Sequence, residues 1–521
     1  MDIYESFYQE YLRLNPYFAT FENVHKYDDK LENSYKTTYH LSIINLYKKY
    51  KKQFKDLNLE VETEILEREI KSYEEYLESP YRYLCLQHDN TVFNSIMFLI
   101  KDDRQIIINK EDLNKWKKRM ECFGNNLDSL YKLLNEGIKE GYTMPKVTIE
   151  LYIDTLKENR KYESYSLPNK NKVSKSIVNQ YDRFMKNKYI KLIDKFENYL
   201  KNTYLKHCKE ELGCGKELYN IPTKMHVSSN ISFPEIHELG KKEVKRIRNE
   251  ISKVFKRIKF TGSIKEFYNH IMKKQDMFEK KPEDVVEAYK SLVKTINETV
   301  ITDNFYPYDI SPLDIKRTPK YQEKYSPMAY YIEETEERNG TYYLTLRDLK
   351  SHPKMDYESL FLHEAIPGHH YQISLHNKLE NSKFFKIFNY TDNLEGWATY
   401  AETLGEYKDD YSLLGKYFLE IFRAVRLVVD TGIHYYGWDY SKCYKMLRRY
   451  TTLAEDDIRN EIYRYVVNPG QALAYKIGEL EFKRLKNIYL NKNKDNTVKD
   501  YHHEILRFGP IPMRMLKEMI E

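Results

Sequence analysis

The sequence predicts a mainly α-helical protein, and three observations support this fold class. Apolar residues recur at helical spacing in the N-terminal third, for example at Tyr4, Phe7, Tyr8 and Tyr11. Glycine and proline are sparse, at 17 and 16 of 521 residues, which favours long helices joined by few turns. The segment Gly340–Leu346 is β-branched and aromatic, is the best strand candidate in the chain, and predicts a small β element.

The length of the chain allows two structural parts, each with its own core. Helical periodicity lapses between Gly213 and Pro234, where glycine, proline and serine cluster. We therefore expect an N-terminal helical part at 1–230 and a C-terminal part at 231–521. Within the second part, Asp303–Pro327 is rich in proline, tyrosine and aspartate and predicts an irregular loop. A helix should then begin at Asp356, a good N-cap residue.

The composition argues against several classes of partner. The 85 basic and 79 acidic residues give a net charge of only +6 and are mixed along the chain, so a nucleic-acid role is not favoured. The longest uncharged apolar stretch, around Phe93–Ile100, is far shorter than the ~20 residues of a membrane span. The five scattered cysteines lack zinc-finger spacing, and no secretory signal is visible at the N-terminus. We expect a reduced, cytoplasmic protein.

The motif with most chemical content pairs His363-Glu364 with His369-His370, across a Pro-Gly dipeptide. Two imidazoles and a carboxylate within eight residues could form a zinc site with its own general base. In a regular helix, however, the second histidine pair would lie about 9–10.5 Å along the axis from His363, too far to share one ion. The Pro-Gly dipeptide predicts that the helix breaks and that one of the two histidines returns beside His363. The spacing alone leaves both histidines open.

A third ligand is expected from the segment 393–402. Glu395, Ala398, Thr399 and Glu402 fall on one helical face, and the small residues between the two carboxylates allow another helix to approach closely. We predict Glu395 as the ligand and Glu402 as a residue that orients a histidine.

These motifs together resemble the DUF885 family. The resemblance spans nearly the whole chain and includes Leu362–His370, Glu395–Ala398, Arg426–His434 with Gly437-Trp438, Arg464-Tyr465 and Asn468–Gly478, besides an opening block from Leu14. It implies a zincin-type, gluzincin-like metallopeptidase with a large, two-lobed helical fold and a deep central cleft. The family pattern has a histidine directly after Pro-Gly, which favours His369 over His370.

The hypothesis that follows is a zinc-dependent hydrolase acting on peptide bonds of small or unstructured peptides. Zn²⁺ would be held by His363, His369 and Glu395, and Glu364 would act as general base. Three alternatives remain open: a maturation protease or amidase dedicated to one precursor, a non-catalytic metal-containing binding protein, and an iron or manganese enzyme.

Other site residues are predicted from the downstream blocks. Tyr475 and His434 are candidates to stabilise the oxyanion. Arg464 and Lys476 are candidates to bind a substrate carboxylate. A structural hydrogen bond is an equally open role for each of these four. Tyr342 lies on the predicted strand, whose exposed edge could pair with an extended peptide along the cleft.

Overall fold

A computed structural model describes residues 2–168, 170–320, 323, 327–335, 338–388 and 390–521. The chain is 69% helix and 4% strand, which confirms the mainly helical prediction. It forms two compact units, one of residues 1–222 with 466–468 and one of residues 223–465 with 469–521. Within the described residues, no helix combines the length and apolar character that a membrane span requires.

The first unit is a helical assembly around an aromatic-rich core. Its longest helix begins with a capping box between Asn109 and Asp112 and ends at Gly141, whose φ of 79° is left-handed and favours glycine. Trp116 and Phe93 are fully buried in this core. The helices are α1 (Ile3–Leu14), α2 (Pro16–Phe21), α3 (Thr37–Asp56), α4 (Glu60–Glu78), α5 (Val92–Lys101), α6 (Lys110–Glu140), α7 (Lys146–Asn159), α8 (Tyr162–Tyr165), α9 (Lys175–Asn187) and α10 (Tyr189–Asn202).

The second unit contains most of the remaining helices and a small sheet. A short helix, α11 (Asn220–His226), lies in the segment where helical periodicity lapses and includes the passage between the units. The others are α12 (Phe233–Arg257), α13 (Ile264–Ile271), α14 (Pro282–Ile296), α15 (Thr302–Asn304), α16 (Tyr357–Glu364), α17 (His369–His376), α18 (Ser382–Phe385), α19 (Thr391–Ala401), α20 (Asp410–His434), α21 (Tyr440–Tyr450), α22 (Glu455–Val467), α23 (Gln471–Lys492), α24 (Val498–Leu506) and α25 (Met513–Ile520).

Glycines allow the helices of the second unit to approach closely. A Cβ on Gly396 of α19 would lie only 2.5 Å from the Cα of Gly478 on α23, so these two backbones are in direct contact. A Cβ on Gly240 of α12 would lie 2.8 Å from Leu427 on α20. The small residues of the 393–402 segment thus have the packing role that the sequence predicts, and they hold α19 in place.

The β element is a three-stranded sheet in the order β1 (Leu313–Arg317), β3 (Gly340–Leu344), β2 (Ala329–Ile332). The predicted strand at 340–346 is the central one, paired with β1 in parallel and with β2 in antiparallel orientation. It therefore has no edge to offer a peptide, contrary to the sequence-based expectation. The strand β1 lies in the predicted loop 303–327, of which residues 321, 322 and 324–326 are outside the described residues.

Buried histidines make the second unit sensitive to acid. Burial lowers the pKa of His434 to about 4, and four more histidines of this unit have a pKa of about 3 or 4, namely His226, His237, His376 and His502. The unfolded chain binds protons at these residues below about pH 6.5, whereas the folded chain does not until the pH approaches these lower values.

The free energy of unfolding should therefore fall between pH 7 and pH 5, by about 2 kcal/mol for a fully buried histidine such as His434. Urea unfolding at the two pH values would measure this change. The His434→Gln variant should show a smaller fall than the unmodified protein. Equal stability of the unmodified protein at both pH values would contradict the prediction.

Candidate metal centre

A sharp turn between α16 and α17 forms the centre of the site. The helix α16 ends at Glu364 and α17 begins at His369, so the chain breaks where the Pro-Gly dipeptide predicts. The backbone of Gly368 packs directly on the carbonyl oxygen of His363, from which a Cβ would be only 1.9 Å away. The indole N–H of Trp397 on α19 donates to the carbonyl of Pro367 at 2.8 Å. The turn is thus fixed both by its own backbone and by α19.

The turn places His369 beside His363, with ring centroids 4.9 Å apart and ring planes nearly perpendicular. The Oε2 atom of Glu395 on α19 lies 3.5 Å from Nε2 of His363 and 3.6 Å from Nε2 of His369. All three candidate ligand atoms lie within 4.8 Å of one another. Two imidazoles and one carboxylate therefore converge on one point.

This geometry fits a small divalent cation. Ligand atoms about 2.0–2.1 Å from a tetrahedral zinc ion are about 3.3–3.4 Å from one another, close to the two measured distances to Glu395. The Oε2 atom of Glu395 is buried and has no hydrogen-bond partner among the described residues. A buried carboxylate oxygen without a donor is costly, and a cation at this point would satisfy it.

A buried ion pair orients His363. Its Nδ1 lies 2.8 Å from Oε1 of Glu402, and because an ionised carboxylate can only accept, Nδ1 carries the proton. In the neutral imidazole, the form that binds a metal, the lone pair is therefore on Nε2, the atom that faces Glu395. Arg423 of α20 holds Glu402 in turn, with Nη1 at 2.8 Å and Nη2 at 2.7 Å from its two oxygens. Glu402 thus orients the histidine as the sequence predicts.

The charges of the site shift its titrating groups. Burial alone would raise the pKa of Glu395, but the imidazoles of His363 and His369 outweigh burial and hold this pKa well below its usual range. Burial likewise would lower the pKa of His363, but the carboxylates of Glu395 and Glu402 raise it to about 9. Burial raises the pKa of Glu364, and the two imidazoles only partly offset it.

His370 points away from this group. It is fully buried, and its Nε2 lies 2.9 Å from the carbonyl of Ser311 while its Nδ1 lies 3.1 Å from the hydroxyl of Tyr331. Both ring nitrogens are thus engaged beside the sheet. The structure places His369, and not His370, with His363 and Glu395.

Zinc content should separate the two histidines. His369→Ala removes one of three ligands, and we expect zinc measured by plasma mass spectrometry after dialysis to fall far below one equivalent. His370→Ala should keep about one equivalent, although it loses stability. The reverse pattern would show that the ligand assignment is wrong.

Two of the other predicted residues, Tyr475 and Arg464, belong to one hydrogen-bond network. Tyr475 is close enough to Glu395 that this carboxylate, after burial, raises the pKa of the phenol, so its hydroxyl stays a proton donor. Arg464 contacts Glu461 through Nε at 3.3 Å and Nη2 at 3.0 Å, and Nη1 donates to Gln471 at 2.7 Å. Gln471 also contacts the hydroxyl of Tyr475, at 3.3 Å, so these residues form one network.

The remaining three predicted residues, Lys476, His434 and Tyr342, are buried inside the protein. Lys476 is fully buried, and its ammonium contacts the carboxylates of Glu420 and Glu479 at 2.8 Å and of Glu243 at 3.2 Å, so no donor is left for a substrate. His434 is 1% exposed, and its Nε2 lies 2.9 Å from the carbonyl of Tyr465.

Tyr342 is also fully buried. Its ring packs on Tyr289 and Phe361 behind the sheet. None of the three side chains is accessible to a substrate. The structure therefore does not support the substrate contacts predicted for Lys476 and Tyr342, or the oxyanion role predicted for His434.

The sequence reasoning missed Arg423 and Tyr331. Arg423 stands in the largely apolar stretch of α20, where a buried arginine requires a partner, and this is a signal that could have been used. Tyr331 lies on β2, which contacts α16, and its hydroxyl lies 3.1 Å from Nδ1 of His370. The strand is short and half-buried throughout, so it gives no alternating pattern to detect.

The fold and the site thus define a mainly helical protein with a candidate metal centre of two histidines and one glutamate. Residues 16–520 match the family DUF885, described as "Bacterial protein of unknown function", and the chain belongs to this family. A comparison with curated proteins finds no match.

Two solved structures share the fold over nearly their whole length. One is described as "the putative lipoprotein from Colwellia psychrerythraea"; it is 20% identical, with 100% of this chain and 99% of that chain covered and a TM-score of 0.86. The other is "a putative lipoprotein of unknown function from Shewanella oneidensis", 17% identical, with 99% and 98% covered and a TM-score of 0.78. At these identities, the likeness concerns the fold.

Proposed function

We propose that the protein is a zinc-dependent, zincin-type hydrolase of peptide bonds. The observation that carries the proposal is the convergence of His363, His369 and Glu395, with the orphaned Oε2 of Glu395 at its centre and Glu364 directly after the first histidine. Zinc bound to these three residues would polarise a substrate carbonyl and make a water molecule more acidic.

Glu364 has the position of a general base. Its carboxylate lies within the electrostatic influence of both histidines and of Glu395, and burial raises its pKa above the usual range of a glutamate. A carboxylate with a raised pKa can take a proton from water and return it to the leaving amine at neutral pH. A non-catalytic metal-binding protein would not require this proton transfer.

Tyr475 is the best-placed donor for the developing oxyanion. Its phenol keeps its proton because burial and the negative charge of Glu395 raise its pKa. An O–H donor held beside the metal ligands can hydrogen-bond the substrate oxygen as negative charge forms on it. Of the two oxyanion donors predicted from sequence, Tyr475 therefore keeps this role in the proposal, and His434 does not.

The strand β2 gives the proposal a route for peptide binding. It is at one edge of the sheet, and it contacts α16, the helix that carries His363 and Glu364. An extended peptide could add to such an edge through backbone hydrogen bonds, with little demand on its sequence. In this proposal, the peptide-pairing edge is therefore β2 (329–332) and not the strand at 340–346 that the sequence predicts.

A mixed peptide library tests the function. The zinc-loaded protein should cleave some of the peptides, as read by mass spectrometry; a chelator should abolish cleavage, and added zinc should restore it. Stoichiometric zinc without cleavage of any peptide would overturn the proposal in favour of a metal-containing binding protein.

A further inference from the structure

Arg426 lies one helical turn from Arg423, the arginine that supports the candidate metal centre through Glu402. It follows Arg423 by three residues on α20, and residues at this spacing are neighbours on a helix surface. Arg423 holds Glu402, which orients His363. The same helix that anchors the first histidine therefore presents a second arginine nearby.

The guanidinium of Arg426 has few partners for a buried cation. The residue is 9% exposed, and within the described part of the chain its Nε–H has no hydrogen-bond acceptor. Its Nη2 lies 3.5 Å from Oε2 of Glu461, too long for a strong charge-assisted bond. An unsatisfied guanidinium is costly to bury, so an additional acceptor at this place would be stabilising.

The nearest carboxylate is already occupied. Glu461 accepts two bonds from Arg464 and a third, at 2.6 Å, from the hydroxyl of Tyr465. Two guanidinium groups thus face one carboxylate, and the cluster carries a net positive charge. Arg464 uses its remaining Nη1 on Gln471, whereas Arg426 keeps donors available.

Tyr475 connects this charge to the metal ligands. The guanidinium of Arg426 lies over the Tyr475 ring, 4.7 Å from its centroid. The helix α23, which carries Tyr475, packs directly on α19 beside Glu395, since a Cβ on Gly396 would lie 2.5 Å from the Cα of Gly478. A substrate whose carbonyl contacts Tyr475 would therefore bring its neighbouring groups toward Arg426.

We propose that Arg426 binds a carboxylate of the substrate, so that the preferred substrates carry a carboxylate close to the cleaved amide bond. The carboxylate is either the C-terminal group of a peptide or an Asp or Glu side chain. This inference rests on the proposed function and gives it a substrate class. It also transfers the carboxylate-binding role predicted for Arg464 to Arg426, because the fork of Arg464 is held by Glu461.

Binding measurements can test this without turnover. Isothermal titration with the zinc-loaded Glu364→Gln protein would compare tetra-alanine with its C-terminal amide, and Ala-Ala-Asp amide with Ala-Ala-Asn amide. In at least one pair, we expect the carboxylate form to bind about 10- to 100-fold more tightly, as for a hydrogen bond to a charged group. The pair that shows the preference identifies the source of the carboxylate.

The preference should depend on Arg426. Adding Arg426→Gln should bring the affinity ratio of that pair close to one, and Arg426→Lys, which keeps the charge but not the fork, should give an intermediate ratio. Arg459→Gln is the matched control, since this arginine on α22 is half-exposed and should leave the ratio unchanged. Circular dichroism would establish that each variant is folded.

Equal affinities in both pairs, or the original ratio in both Arg426 variants, would overturn the inference. The two proposals fail differently. Carboxylate preference in binding without hydrolysis of any peptide would contradict the peptidase proposal alone. Hydrolysis of free and amidated peptides at equal rates, without a preference for acidic residues, would contradict carboxylate recognition alone.

Discussion

Replacing Glu364 with glutamine is expected to lower the rate of peptide hydrolysis by about 10²- to 10⁴-fold, because the variant loses its general base. The amide has nearly the same shape as the carboxylate but cannot accept the proton from water. Since the three metal ligands are unchanged, zinc content should stay at about one equivalent. Cleavage rates of one peptide from the library, together with zinc measured on the same samples, would test both parts of the expectation.

The exposed residue Glu298 provides the matched control for this substitution. Its side chain is 63% exposed on the surface of the second unit, and Glu298→Gln should leave both rate and zinc content unchanged. If Glu364→Gln hydrolysed the peptide within a few-fold of the unmodified rate, another group would have to be the base. If it lost zinc, Glu364 would have a role in forming the metal centre itself.

Gly368→Ala is expected to disrupt the metal centre through the backbone. The added Cβ would lie 1.9 Å from the carbonyl oxygen of His363 and 2.3 Å from that of Leu362, and backbone atoms cannot move aside as a flexible side chain can. The turn must open, which displaces His369 from His363. We expect zinc to be largely lost and the free energy of unfolding to fall by about 1–3 kcal/mol or more.

Gly124→Ala is the control for this prediction. A Cβ at Gly124 would meet its nearest atom at 3.5 Å, an ordinary contact, and the residue is in the middle of α6. Alanine is a better helix former than glycine, so this variant should be unchanged or more stable by up to about 1 kcal/mol. Zinc retention in Gly368→Ala comparable to that in Gly124→Ala would contradict the role assigned to the turn.

The metal-site prediction from sequence depends on a short stretch of chain. His363, the Pro-Gly dipeptide and His369 lie within seven residues, so local backbone geometry decides where the second histidine goes. A proline and a glycine restrict that geometry strongly, which is why a helix break could be predicted. Glu395 could also be predicted as a ligand, because the small residues around it indicate close packing of its helix.

The residues that sequence reasoning placed differently lie in long-range contacts. Lys476 is a candidate for substrate binding because it lies in the family-like block 468–478, yet its ammonium is enclosed by carboxylates from three helices. The strand at 340–346 was recognised, but its central place in the sheet depends on two strands that carry weak patterns. Periodicity reports which face of an element is apolar and says nothing about which element covers it.

The sequence by itself therefore determined the mainly helical fold, the break at Pro-Gly and the small set of residues, His363, Glu395 and one of His369 and His370, from which the candidate metal centre is formed. Only the tertiary structure decided that His370 faces the sheet, that Arg423 supports His363 through Glu402, and that Arg426 remains a buried cation with few acceptors. The physical reason is that a ligand motif depends on the spacing of a few residues along the chain, whereas the partners of a buried charge come from distant parts of the chain. Burial and charge balance become visible only when those parts are packed together.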